Sequence, residues 1–393
     1  MAEPHAVVIG GGIGGLSAAL ALRRVGWAVT VCERAPGIEP AELALALAPN
    51  ALRALDSLDL GEDVRKHSAP QGIAAIRRRD GGWILRVSAE RTRRRFGDAV
   101  CVLRRGELAA MLLERLPASA LHTAATVTAV EPGDTRRPAR VATDAGDHTA
   151  DLVVLADGAR SALRTELFLE HPGAVYAGFA YWSAIVPRPE PAMAFGESWG
   201  RGGVAGVLPL GGDAVFCYAT GNVPAGGRSP DEHARLAERV EGWHAPLPRL
   251  AAAARPESVV RTDVWHVDTP LPAYHRGRIA LVGDTAHAMT PNLGQGAAQA
   301  LEDAVVLAHH ISGSVAYVPT ALQSYSDARL GRTSALVQRS AQLAEAVQSE
   351  SPLAARVRDT AAAVVGAAAP TLLARYTRPV GDWRSPERTR PRP

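Results

Sequence analysis

The feature that most constrains this chain lies in its first 33 residues, where an apolar strand (AVVIG), a glycine turn, a helical run (LSAALALRRVG) and a second strand (WAVTVCE) follow without interruption. That order is one βαβ unit. Gly10, Gly12 and Gly15 fill the three positions of GxGxxG directly after a strand and before a helix, the context in which this short pattern becomes informative. The first glycine permits the tight turn, the second lets a pyrophosphate approach the backbone, and the third lets helix and strand pack closely. Phosphates then meet the positive end of the helix, flanked by Ile13 and Gly14. Glu33 stands 18 residues past Gly15 at the end of the second strand, beside Arg34, where a carboxylate accepts ribose hydroxyls and repels a 2′-phosphate. The unit disfavours NADP at this site and leaves NAD and FAD open.

Length and composition bound the rest. At 393 residues the chain accommodates two domains. No uninterrupted apolar run reaches the roughly 18 residues of a spanning helix, and Gly366 and Pro370 cut the longest candidate. No basic region with an apolar block precedes the first strand, so a soluble, cytoplasmic protein without membrane attachment is expected. Cys32, Cys101 and Cys217 are far apart and form neither a disulfide framework nor a metal site. The formal charge is only +3, and the arginine clusters carry no interleaved aromatics, which argues against nucleic-acid binding. Lys66 is the sole lysine, which disfavours Schiff-base chemistry.

Further along, leucines at 52, 55 and 58 mark a helix, residues 72 to 88 read as two strands around Asp80, Gly81 and Gly82, and another helix starts near Arg105. DLVVLADG is a strand buried on both faces. From 174 to 267, alternating aromatic-bearing segments predict a mostly antiparallel second sheet, and from Gly296 helical composition dominates up to an Arg- and Pro-rich tail at 384 to 393. No glycine turn in a second βαβ frame follows; GRGGVAG at 200 to 206 is a glycine-rich loop without one.

Two later strings carry a family likeness. ADGARSALR places Asp157, Gly158, Ser161 and Arg164 in a DGxxSxxR pattern, and GRIALVGDTAHAMTPNLGQGAAQALEDA contains Asp284, His287, Pro291, Gly294, Gln295 and Gly296. With RGEL at Arg105, these resemble the single-component FAD-dependent aromatic hydroxylases, the group A flavoprotein monooxygenases of the para-hydroxybenzoate and salicylate hydroxylase type, over most of residues 6 to 340. The resemblance implies an α/β architecture in which a Rossmann-like FAD-binding domain (1–70, 97–170 and 271–345) is interwoven with a mostly antiparallel substrate domain (71–96 and 171–270), followed by C-terminal helices and tail (346–393). It also implies that Arg105, Asp157 and Gly158 lie at the FAD.

Physically, Asp284 ends a buried strand where its carboxylate reaches ribityl hydroxyls. Residues 294 to 296 bring backbone close to a flat ring, and the amides of Ala297 and Ala298, at a helix start, face the flavin pyrimidine edge and favour negative charge there. His287 is read as holding its loop by a hydrogen bond or as acting on substrate.

By this resemblance, NAD(P)H binds transiently and reduces FAD, and dioxygen forms a flavin C4a-hydroperoxide. This then hydroxylates or epoxidises a small aromatic or otherwise electron-rich substrate. The second sheet should roof the flavin, with Tyr181, Trp182, Phe195, Trp199, Phe216, Tyr218 and His266 as pocket candidates, together with Pro291. No catalytic base, metal or oligomeric state is assigned. The chain departs from the family pattern in LALALAPN, where Ala44 and Ala46 replace glycines, and at Tyr274 and Ser183, which stand for a tryptophan and an arginine. An FAD-dependent reductase or dehydrogenase without oxygen transfer, and a non-redox FAD-binding protein, are the alternatives. A flavin halogenase is disfavoured because its WxWxIP string is missing.

Overall fold

The structure, a computed structural model, describes residues 3–38, 43–189, 195–312, 315–368 and 380–386. The tail beyond 386 lies outside the described residues.

The first βαβ unit forms as its composition dictates. Strand His5–Ile9 is buried except at its first residue and pairs in parallel with Ala28–Cys32 on one side and Leu152–Leu155 on the other. The first helix, Ile13–Arg24, packs so tightly beside this strand that a Cβ on Gly15 would sit 1.9 Å from the Gly10 carbonyl oxygen. Gly10 itself has φ +108°, and a Cβ there would meet the Ala156 oxygen at 2.4 Å. Both positions therefore need glycine for the fold itself. Strand Ile279–Leu281 adds to Leu152–Leu155, and the completed six-stranded sheet is parallel apart from an edge hairpin at His275–Arg276. Helix Gly296–Ile311 lies against the first helix across small residues, with Ala300 Cβ 3.5 Å from where a Gly14 Cβ would stand.

The second sheet has seven strands in the spatial order Val260–His266, Val175–Pro187, Ala214–Asn222, Val204–Pro209, Gly196–Trp199, Ala74–Arg78 and Trp83–Val87. All pairings are antiparallel except Gly196–Trp199 with Ala74–Arg78. The α/β architecture thus holds: a Rossmann-like unit interwoven with a mostly antiparallel sheet, closed by C-terminal helices.

Two features depart from the sequence expectation. The span read as strands and loops contains helices Glu232–Val240 and Leu247–Ala253; the first is capped by Asp231, whose Oδ1 accepts from the Ala234 amide at 2.8 Å. These helices cover the outer face of the large sheet, burying Trp182, Ala184 and Val186 against Leu236, Val240 and Leu250. A further three-stranded sheet joins Ala44–Leu47 to Val100–Arg104 and Ala69–Gln71.

The 31-residue helix Val318–Gln348 fastens the two sheets together. In its first third the Tyr325 hydroxyl donates to the Leu281 carbonyl at 2.9 Å, further along Ser340 donates to Thr290 O at 2.6 Å, and at its end Gln348 Oε1 accepts from Thr220 at 2.8 Å. Among the described residues no single helix is long and apolar enough to cross a membrane.

Candidate active site

Two cavities meet at Arg105. The smaller, about 190 Å³, is lined by Gly11, Gly12, Ile13, Glu33, Ile38 and Arg105. Glu33 is held there by two backbone donors, Gly11 N–H at 2.6 Å and Ala35 N–H at 2.8 Å, which fix the carboxylate while leaving lone pairs for hydroxyls. Arg34, its neighbour, is exposed and outside the lining.

The larger cavity, about 470 Å³, lies between the parallel sheet and the inner face of the antiparallel one. Its floor is formed by Gly12, Ile13, Gly14, Gly158, Asp284 and the loop carrying Pro291, Gly294, Gln295, Gly296 and Ala297. Leu43, Ala44, Leu45 and Ala46 make one wall, and Tyr181, Glu197, Val204, Leu208, Phe216 and Tyr218 make the roof.

Several features fit a flavin dinucleotide. Helices Ile13–Arg24 and Gly296–Ile311 both open onto the large cavity without a side-chain cap and without an acid in the first turn, so their free amides face the space. Gly12 has only the Arg105 guanidinium, at 3.7 Å, near its missing Cβ, and Gly158, with φ +93°, has nothing within 4 Å. These glycines leave open room, unlike Gly10 and Gly15, which are packed against backbone. Gln295 keeps a buried Nε2 without a partner while its Oε1 accepts from Asn50 at 2.9 Å. An acid at one end, open helix N-termini in the middle and a slot between residues 44–46 and 294–297 match adenosine, pyrophosphate and ring in that order.

The remaining sequence candidates have definite places. Asp284 stands on the cavity floor, exposed to the open cleft; desolvation by the surrounding protein pushes its carboxyl up, and His287 and Arg105 draw it partly back. Asp157 accepts from Thr285 Oγ1 at 3.1 Å, and the same hydroxyl accepts from Gly158 N–H at 2.9 Å. Arg164 is buried and donates to the Thr285 and Ala159 carbonyls, clasping the DGxxSxxR turn to the later loop, and Ser161 caps the helix that carries it. Ala298 is fully buried behind the lining.

His287 does not reach the cavity lining: its Nε2 lies 2.6 Å from Asp303 Oδ2, which also accepts from the Gly283 amide at 2.8 Å. It therefore holds the loop.

Of the roof candidates, Tyr181, Phe216 and Tyr218 line the cavity, as does Pro291. Trp182 points to the opposite face and donates to Glu232 at 2.6 Å. Phe195 is half-buried on that outer cluster, beneath Arg188. Trp199 sits in a separate cluster with Ile84 and Val347. His266 is buried at a strand end outside the lining, and burial pushes its pKa down. Glu197, Val204, Leu208 and Met289 also line the cavity, and the sequence singles out none of them as a site residue.

A dinucleotide cleft leading into a cavity roofed by an antiparallel sheet defines the class of two-domain flavoproteins. The chain belongs to the FAD binding domain family, whose pattern matches residues 3–340, and within it to the FAD-dependent aromatic hydroxylases and monooxygenases. It is 36% identical to aurachin C monooxygenase/isomerase of Stigmatella aurantiaca over 358 residues, 90% of this chain and 92% of that one. The FAD-dependent urate hydroxylase of Klebsiella pneumoniae is 32% identical over 339 residues, 84% of this chain and 87% of the relative. The crystal structure of Klebsiella pneumoniae HpxO with FAD and uric acid superposes with a TM-score of 0.84 at 27% identity, covering 94% of this chain and 97% of that one. The protein is an FAD-dependent monooxygenase.

Proposed function

We propose that this monooxygenase uses NADH or NADPH and dioxygen to hydroxylate or epoxidise a small, flat, electron-rich aromatic ring seated under Tyr181, Phe216 and Tyr218. The observation that carries this is the cavity of about 470 Å³, apolar over most of its walls and continuous with the glycine-lined floor. Its size falls in the range of small-molecule sites. Bound FAD supplies two-electron redox chemistry and oxygen activation.

The chain supplies the rest. Glu33 would accept the ribose hydroxyls, Arg105 and the amides opening Ile13–Arg24 would hold the pyrophosphate, and Asp284 would bind the ribityl chain. The amides at the start of Gly296–Ile311 would stabilise negative charge on the pyrimidine edge, easing reduction. Leu43, Leu45, Val204, Leu208 and Phe216 exclude water while oxygen is transferred. Three separated, buried thiols suit a reducing, cytoplasmic setting.

The test is turnover of FAD-loaded protein with NADH or NADPH, candidate aromatics and ¹⁸O₂. Substrate-stimulated bleaching with one ¹⁸O atom gained in the product is expected. Bleaching without ¹⁸O in any product would point to a dehydrogenase instead.

A further inference from the structure

Glu197, Gly206 and Tyr218 occupy directly opposed positions on three adjacent strands of the roof. Opposed residues share a face of the sheet, and Glu197 and Tyr218 both line the large cavity. A Cβ on Gly206 would stand 2.3 Å from the Tyr218 ring and 2.5 Å from its hydroxyl oxygen. The missing side chain is the space the ring occupies. Lying across that gap, the Tyr218 hydroxyl donates to Glu197 Oε1 at 3.2 Å, and Trp199 Nε1 donates to Oε2 at 3.3 Å.

Among the described residues no cation balances this acid. Among the described residues none pairs with Glu197 in a salt bridge, and the only basic side chain lining the cavity is Arg105, which also lines the smaller cavity and belongs to the cofactor end. Burial pushes the Glu197 carboxyl up, and the Trp199 and Tyr218 donors pull it partly back. Burial, then the neighbouring Glu197, pushes the Tyr218 phenol well above its ordinary value, so at neutral pH it is a donor and not a base. A carboxylate has about four lone-pair sites, and the two protein donors leave acceptor capacity facing the cavity. Glu197 is half-buried at the cavity wall, and an acceptor there left unmatched by an apolar ligand is costly, so a ligand that brings a donor is favoured, and in its ionised form the carboxylate repels one that brings a second negative charge.

We propose that Glu197, positioned by Tyr218, determines substrate specificity: it accepts a hydrogen bond from the ring N–H or O–H of an uncharged aromatic heterocycle and rejects aromatic carboxylates. This rests on the monooxygenase function proposed above and narrows its substrate class. The pair Glu197 and Tyr218 would orient the ring by its polar edge, while Val204, Leu208 and Phe216 hold its faces and apolar edge.

The experiment uses the oxidised, FAD-loaded protein and visible difference spectra of the flavin, with 4-hydroxyquinoline and salicylate as probes. The unaltered protein should prefer 4-hydroxyquinoline by about 100-fold or more. Glu197→Leu, which removes acceptor and charge, should weaken that probe by about 10- to 100-fold. Glu197→Gln keeps the shape and an acceptor, so it should hold 4-hydroxyquinoline within about fivefold while cutting the preference over salicylate by about tenfold or more. Tyr218→Phe, which leaves the ring in place, should cost about 3- to 10-fold in 4-hydroxyquinoline affinity. FAD content and thermal midpoint, measured alongside, separate these effects from misfolding. Salicylate bound at least as tightly as 4-hydroxyquinoline, binding of neither probe, or a preference unchanged in both Glu197 variants would overturn the proposal. Because binding to oxidised flavin needs no turnover, failure of oxygen insertion would leave this result standing, and the reverse holds as well.

Discussion

Replacing Arg329 by methionine probes what holds the flavin loop in place. Arg329 is 1% exposed and donates from Nε to Asp303 Oδ1 at 2.6 Å, from Nη1 to Glu302 Oε2 at 2.6 Å and from Nη2 to Gln299 Oε1 at 2.8 Å. Methionine fills much of the volume and removes the charge. Breaking a buried pair from one side costs about 3–5 kcal/mol because the partner charge is left uncompensated. Here the lower end applies, since Glu302 keeps Arg332 at 2.7 Å and Asp303 keeps His287 and the Gly283 amide. At roughly 1–2 °C per kcal/mol for a chain this long, the thermal midpoint should fall by about 3–6 °C. Because Asp303 anchors Gly283, next to Asp284, FAD affinity should fall as well. Arg332→Met is the control: its side chain is 21% exposed and Glu302 retains Arg329, so a loss near 1 kcal/mol is expected. Differential scanning fluorimetry and flavin-fluorescence titration read both effects. A midpoint drop under 2 °C for Arg329→Met, or equal drops for the two variants, would refute the argument.

Three further outcomes follow from the same geometry. Gly12→Ala should leave the FAD-free fold within about 1 kcal/mol of the unaltered protein, since only Arg105 lies within 4 Å, yet weaken FAD binding in titration; Gly15→Ala should fail to fold, because its Cβ would meet the Gly10 oxygen at 1.9 Å. Glu33→Gln turns an amide NH₂ toward either Gly11 N–H or Ala35 N–H, both of which now donate to carboxylate oxygens, and should lower FAD affinity by about 10- to 100-fold in equilibrium titration. Burial alone would raise the Asp303 carboxyl, but His287 and Arg329 hold it at about 2. With the folded value below the unfolded one, the stabilisation of roughly 2 kcal/mol is complete above about pH 4 and lost as pH falls toward 2. Urea melts between pH 5 and 2.5 should show this decline, and much less of it in Arg329→Met.

What the sequence disclosed and what it withheld divide along the range of the interactions. The grip of Gly10, Gly12, Gly15 and Glu33 is local: strand, turn and helix fix the geometry within 33 residues, so the spacing was enough to place both the turn and the acid. The string around Asp284 and Gly294 is equally continuous, and the cavity floor follows it. The roof is different. Alternation predicts that Tyr181 and Trp182 face opposite ways but not which faces the cavity, and that phase is set by helices Glu232–Val240 and Leu247–Ala253, which cover the Trp182 side. The acid in GESW and the last glycine of GRGGVAG gave no signal, because their meaning arises only when register sets Glu197 opposite Gly206 and Gly206 opposite Tyr218. A fold can therefore advertise its cofactor along the chain and conceal its substrate across the sheet: the dinucleotide would be recognised by backbone turns that sequence spacing encodes, whereas the proposed substrate would meet side chains brought together by strand pairing. In this family member, the residues that decide what is oxidised should be sought by cross-strand rows and not by motifs, and the row from Glu197 to Tyr218 is where a change of substrate would be engineered first.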